Sequence, residues 1–373
     1  MSKVALYHCD STDEIKPAIE KIFDSLGKEE ISRLFSNKKV LLKPNLCIDH
    51  GPEKGATTHP KVVEAVIRIA LEYNAKVIVG DGAAIGVKGN VARNTGIEDI
   101  CRKYDVPFVD FNRDEGKIVK IDNAYALNEA NIAKTYFEVD TVVNMPVFKS
   151  NMLFWVSGAL KNMKGLLVGM EKHKPHYLGV AQCVSDLNRM VKQDLIIMDG
   201  FVGMMGDGPT AGKPANSRLL IGGFDPVAVD SLAASLMGLP VKKIPMIQYA
   251  KQAHIGDDYF EVVGDPLKSF NLAFEKPAVS KNRLKANILN TISKNFFRNA
   301  GKKSKIIVDK DKCTLCLRCK EMCPYHAITL IDKTISIEHD KCEFCLCCTE
   351  VCKSEAIKLK GMLVGKEVFL KKV

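Results

Sequence analysis

Over residues 1–270, short runs of aliphatic and β-branched residues alternate with longer segments in which apolar side chains return every third or fourth position. Such a change of period, from a short apolar run to one near 3.6, marks strands and helices taking turns along a chain. The strands it predicts most clearly are Lys39–Leu42, Lys76–Val79, Thr141–Val143, Leu195–Met198 and Arg218–Ile221. The helices are His59–Tyr73, Leu178–Val191 and Pro226–Met237, with Asp225 placed to cap the last of them. Elements in this order build an α/β domain, a largely parallel sheet with helices on both faces.

The polar residues that end the strands carry the next step. Lys43-Pro44-Asn45 follows the first strand, Gly80-Asp81-Gly82 the second, Asn144-Met145-Pro146 and then Lys149 the third, and Asp199-Gly200 the fourth. Parallel α/β sheets bind ligands outside the carboxyl ends of their strands, so these residues are candidates for one shared site, although each alone reads as readily as a turn. The glycine-rich stretch after Asp199, with Gly206 and Gly208, would let backbone amides approach an anion or serve as a surface loop. Between them, SGALKNMKGLLVGMEKHKPH supplies Lys161 and Lys164, which one helical face would present together to a carboxylate or phosphate, or to solvent. His173 and His176 in the same segment have the spacing of a metal pair and equally that of a surface loop. The binding candidates are therefore Lys43, Asn45, Asp81, Asn144, Lys149, Lys161, Lys164, Asp199, Gly206 and Gly208, and those with chemistry to offer are Lys149, Lys164, Asp199 and His173.

Two nucleotide motifs fail on spacing. GDGAAIG, from Gly80, has its third glycine one residue too late for a dinucleotide fingerprint, and GPTAGKP, from Gly208, is one residue short of a phosphate-binding loop and puts Pro214 where a magnesium ligand belongs. NAD and ATP are unsupported, and no flavin motif is recognisable.

The pattern changes after residue 276. From Lys281 to Lys305 there are eight Lys or Arg and no acid, with Leu284, Ile288, Ile292 and Phe296 at helical spacing. This reads as a basic amphipathic linker helix over 276–304, packed on its own protein or docking an acidic redox partner or a membrane surface. The net charge of +10 comes without the interleaved aromatic and basic residues of a nucleic-acid binder. The start, MSKVALYHCDSTDEI, is too polar for a signal segment, and no apolar run reaches the ~20 residues of a bilayer crossing. A cytoplasmic, reducing and oxygen-poor setting is expected.

Nine of the thirteen cysteines follow residue 312. Cys313, Cys316, Cys319 and Cys323 stand in the register C-x2-C-x2-C-x3-C, and Cys342, Cys345, Cys348 and Cys352 repeat it. Structural zinc sites usually come as two C-x2-C pairs separated by a long loop, and a zinc or disulfide site is the alternative reading of these cysteines. Three cysteines at steps of three wrap one corner of a cubane, and the fourth serves the other cluster. Cys352 would complete Cys313, Cys316 and Cys319, and Cys323 would complete Cys342, Cys345 and Cys348. Cys347 falls outside the register, and Lys353 stands where proline usually follows the last ligand.

These runs resemble a bacterial two-[4Fe–4S] ferredoxin, which implies a small α+β domain over 305–362, before a tail of 363–373. KPNLC, Thr57-Thr58-His59-Pro60, NMPVFKSN, SGALKNMKGLL, MDGFVGMMGDGP and FDPVAVD, in this order, resemble the family of domain of unknown function 362 across the α/β part, residues 1–275. That resemblance implies an anaerobic iron–sulfur protein and supplies no substrate. The expected function is a ferredoxin-dependent oxidoreductase whose clusters pass electrons to a small anionic substrate or cofactor in the α/β domain. The alternative is a non-enzymatic electron carrier or metallocofactor assembly protein.

Overall fold

A computed structural model describes residues 1–84, 87, 89–210, 212–277, 304–323, 325–342, 347–354 and 356–361. The chain divides into two units, Met1–Ala83 with Lys88–Pro277, and Ala84–Val87 with Ala278–Val373. Residues 278–303, which include most of the expected basic helix, lie outside the described residues, as do Cys345 and the tail.

The first unit contains β1 (Ser2–His8), β2 (Lys39–Pro44), β3 (Lys76–Asp81), β4 (Phe108–Asp110), a hairpin of β5 (Gly116–Lys120) and β6 (Glu129–Ala133), β7 (Thr141–Met145), β8 (Val147–Asn151), β9 (Trp155–Val156), β10 (Leu195–Met205), β11 (Lys213–Ala215), β12 (Leu219–Gly223) and β13 (Phe260–Gly264). Eleven of them form one sheet with the main path β13-β1-β12-β10-β7-β2-β3-β4. Each neighbouring pair on this path is parallel except the two made by β12, which opposes both β1 and β10.

The sequence of β2 shows why both faces are covered. Val40 and Leu42 enter a core with Ile22 of the helix Ile15–Leu26 and Val66 of the helix Pro60–Glu72. Leu41, between them, enters a second core with Cys183 and Leu187 of the helix Val180–Met190. Successive side chains point to opposite faces, so a strand buried on both sides must be apolar throughout. Helix starts follow their local chemistry. Asp225 accepts from the amides of Val227 (2.8 Å) and Ala228 (3.1 Å), and Pro226 opens the helix Pro226–Leu236 without sacrificing a hydrogen bond.

Two helical expectations change. The helix expected over Leu178–Val191 is divided at Gly179, where φ is 118°, into Lys174–Leu178 and Val180–Met190. The helix that would have aligned Lys161 with Lys164 covers only Ala159–Asn162 and tightens into a 3-10 turn at Met163–Leu166. Asp230 holds its entry, accepting from Ala159 N (2.6 Å) and Leu160 N (3.1 Å), while the Asn162 amide donates to Asn144 Oδ1 (2.7 Å). These tertiary bonds tie the segment to the strand ends and override helical continuation.

The topology fixes where a ligand site belongs. β2 leads through the helix Pro60–Glu72 to β3 on one side, whereas its other neighbour β7 leads through the helix Val180–Met190 to β10. Adjacent strands whose connections depart in opposite directions open a crevice at their carboxyl ends. Beyond it, β8 continues alongside the long β10, pairing Val147 with Asp199 and Lys149 with Met204.

The second unit repeats itself. Its strands are β14 (Ser304–Val308), β15 (Ile328–Ile331), β16 (Thr334–Ile337) and β17 (Ile357–Gly361), with short helices at Arg318–Met322 and Cys347–Glu350. The two halves interlock, because β14 of the first pairs with β17 of the second, and β15 of the first with β16 of the second, all antiparallel. Among the described residues no helix is long and apolar enough to cross a membrane.

Candidate functional site

Lys43, next to last in β2, has no solvent exposure and donates to Asp81 Oδ1 at the end of β3 (2.7 Å), itself 4% exposed. The other Asp81 oxygen accepts from Leu46 N (2.7 Å), which fixes the carboxylate in place. Lys149, on β8 and 1% exposed, donates to Ala56 O (2.7 Å) and Asn45 Oδ1 (3.2 Å) and lies 3.4 Å from Cys47 Sγ. A third buried lysine, Lys172, donates to Asn112 Oδ1. Its amine rests on Gly82, where a Cβ would stand 2.1 Å away, and a Cβ on Gly165 would stand 2.1 Å from Asp81 Oδ1 and 2.7 Å from Lys43 Nζ. A side chain at either position would therefore displace one or more of the three charged groups.

Charge is unbalanced here. Lys43 has Asp81, but among the described residues neither Lys149 nor Lys172 makes an ion pair with a carboxylate. Burial pushes all three amines below the usual lysine range, Lys172 to about 7, with Asp81 opposing the shift in each case. An ammonium removed from water without a counter-charge is costly, and the remedies are to lose the proton or to bind an anion.

The sequence-derived candidates divide accordingly. Lys43, Asn45, Asp81 and Lys149 come together. Lys161 lies over the Phe154 ring at 5.7 Å, and Lys164 shares a hydrogen bond with His176, whose imidazole is pushed well below its usual range by burial and by Lys164 and Lys161. His173 is buried. Asn144 serves a network of buried amides, donating to Ala159 O (2.9 Å) and Gln193 Oε1 (2.5 Å). Asp199 is taken up by His59 N (2.6 Å) and Phe201 N (3.0 Å), and burial raises its carboxyl to about 6. Gly206 and Gly208 pack on β8: Ser150 Oγ donates to Gly206 O (2.7 Å), and a Cβ on Gly208 would stand 2.2 Å from Ser150 O. Lys172, Asn112 and Cys47 were not singled out by the sequence. The density of cations in EKHKPH was the one available signal for Lys172.

In the second unit, the Cys319 thiol is pushed up to about 11, first by burial and then by Cys352, ahead of Cys316 and Cys313. Cys352 is thus the titratable group that acts most strongly on Cys319. Cys323 lines a cavity with Cys342 and Cys348, closed by Ile306, Tyr325, Ala327, Ile328 and Ile337. The fourth cysteine of each run accepts a backbone hydrogen bond from the residue four positions on, Ala327 N to Cys323 Sγ (3.3 Å) and Ala356 N to Cys352 Sγ (3.2 Å). Cys347 is fully buried against Met322 and Val351. Among the described residues no three His, Cys, Asp or Glu side chains are grouped as a single metal ion requires.

Residues 40–235 match the family described as a domain of unknown function, DUF362. The chain belongs to this family. Residues 306–329 match the 4Fe-4S binding domain, so the family domain is fused here to an iron–sulfur, ferredoxin-type module. The thylakoid-associated protein sll1697 of Synechocystis sp. (strain ATCC 27184 / PCC 6803 / Kazusa) is 29% identical over 228 residues, spanning 58% of this chain and 68% of that protein. The lactate racemase apoprotein from Thermoanaerobacterium thermosaccharolyticum is a structural match at TM-score 0.43 and 14% identity, covering 64% of this chain and 56% of its own.

Proposed function

We propose that this DUF362 protein is an oxidoreductase in which two [4Fe–4S] clusters deliver electrons, one at a time, to a small anionic substrate or cofactor held at the β2–β7 switch point. The observation that carries the reading is the pair of buried lysines, Lys149 and Lys172, that lack a carboxylate at a place where α/β sheets bind ligands. The cysteines fit the clusters in number and kind. Cys313, Cys316, Cys319 and Cys352 would hold the first, and Cys342, Cys345, Cys348 and Cys323 the second. The apolar wall around Cys323, Cys342 and Cys348 excludes water, and the amides of Ala327 and Ala356 stabilise sulfur charge; both effects tune a cluster's potential. When bound, the clusters supply low-potential single electrons. Lys43, Lys149 and Lys172 would hold the acceptor and offset the negative charge it gains, while Asp81 limits how strongly the empty site repels itself.

The test uses full-length protein purified without oxygen. About eight iron and eight sulfide per chain are expected for two cubanes. The small molecule that leaves the protein on denaturation is identified by mass spectrometry, and the same compound is mixed with dithionite-reduced protein. Return of the oxidised cluster absorption, with stoichiometric product, supports the proposal. A ligand that binds without reoxidising the clusters would instead assign the chain to electron carriage or cofactor assembly.

A further inference from the structure

We infer that the switch-point site takes a ligand bearing two anionic groups, one received by Lys149 and the other by Lys172 with Lys43. The inference rests on the anionic-ligand reading above and narrows the ligand's class.

The two amines belong to separate subsites. Lys149 is held by Asn45 and Ala56 beside Cys47, on residues that follow β2. Lys172 is held by Asn112, beyond β4, and lies against Gly82, beyond β3. They share no hydrogen-bond partner. Asp81 stands between these subsites: its Oδ2 accepts from Leu46 N, between the Asn45 and Cys47 that flank Lys149, while its Oδ1 would lie 2.1 Å from a Cβ on Gly165, whose carbonyl would lie 2.9 Å from a Cβ on Gly82, the residue against which Lys172 rests. Apart from Asp81, the titratable groups that most affect Lys172 are Lys43, Asp110 and Lys164, and for Lys149 they are Cys47 and Lys161.

A single small anion placed centrally would meet the Asp81 carboxylate, which is already committed to Lys43 and Leu46. Placed at either lysine, it would leave the other buried cation uncompensated. A ligand with an anionic group at each end avoids both costs, because its charges straddle Asp81 and its uncharged middle passes the carboxylate. Diphosphates and dicarboxylates share this chemistry.

The test compares inorganic phosphate with pyrophosphate, and acetate with succinate, as ligands of the anaerobic full-length protein. Calorimetry is run at constant ionic strength and near pH 6, where Lys172 is protonated. At least one two-group probe should bind tenfold or more tightly than its one-group counterpart, and the pair that shows it identifies phosphate or carboxylate as the source. Lys149→Met and Lys172→Met should each bring that probe down to one-group affinity, and Lys149→Arg or Lys172→Arg should restore part of the difference. Equal affinity within both pairs would overturn the two-group ligand while leaving a one-anion site standing. No binding of any probe would overturn the anionic-ligand reading as well. If the methionine variants do not fold, the comparison of probes on the native protein decides alone.

Discussion

At the scale of single residues, Lys172 ties the site to pH. Its ammonium loses protonation near pH 7 in the folded chain, against 10.5 for an ordinary lysine, because burial outweighs the attraction of Asp81. The sign follows from linkage: between these two values the unfolded chain holds a proton that the folded chain does not, so folding stability rises with pH across this window. Below about 7 both states are protonated, and the burial penalty is present in full. Each pH unit in the window is worth up to about 1.4 kcal/mol. The stability of the wild type relative to Lys172→Met, taken from denaturant midpoints, should therefore increase from pH 7 toward pH 10. A difference that stays flat would show that Lys172 keeps its proton as a surface lysine does. Little of this was legible in the sequence. Lys43, Asp81 and Lys149 announce themselves by following apolar strands, whereas Lys172 lies in an irregular segment, and its burial depends on Gly82 and Gly165 meeting across the sheet end.

At the scale of elements, the cysteine repeat makes a sharper prediction. Cys323 belongs to the first run by sequence but lines the cavity of Cys342 and Cys348, so on the two-cluster proposal Cys323→Ser should damage the cluster of Cys342 and Cys348 and spare the other. Cys347→Ala should leave both, since Cys347 packs against Met322 and Val351. Iron content with electron paramagnetic resonance of the reduced variants separates the outcomes, and iron loss in Cys347→Ala equal to that in Cys323→Ser would make Cys347 a ligand. The strands were legible because β2, β3, β7 and β10 each carry an unbroken apolar run, and the helix Pro226–Leu236 because Asp225 and Pro226 mark its start. The segment from Ala159 to Leu166 was not: its helical propensity is local, while the partners that shorten the helix, Asp230 and Asn144, come from distant parts of the chain. The direction of β12 was equally hidden, because a short apolar run such as Leu219-Leu220-Ile221 reads the same in both orientations.

At the scale of the whole molecule, the net charge of +10 bears on association. A positive surface speeds encounter with an acidic electron donor, and salt screens it over a length of about 10 Å at 0.1 M. Reduction of the clusters by a small acidic ferredoxin, followed by stopped-flow absorbance, should slow several-fold between low salt and about 0.5 M. A rate indifferent to salt would confine the charge to solubility. The position of β1 has a different consequence. It lies inside the sheet, pairing Val4 with Gly223 on one side and with Val262 on the other. The opening strand of the chain therefore has to wait, during synthesis, until nearly all of the first unit has left the ribosome before both its edges are satisfied. Pairings of such long sequence separation close late and slowly. In the interval the apolar run Val4-Ala5-Leu6 is an open edge, the part of a nascent chain that invites pairing with the wrong strand or the attention of a chaperone.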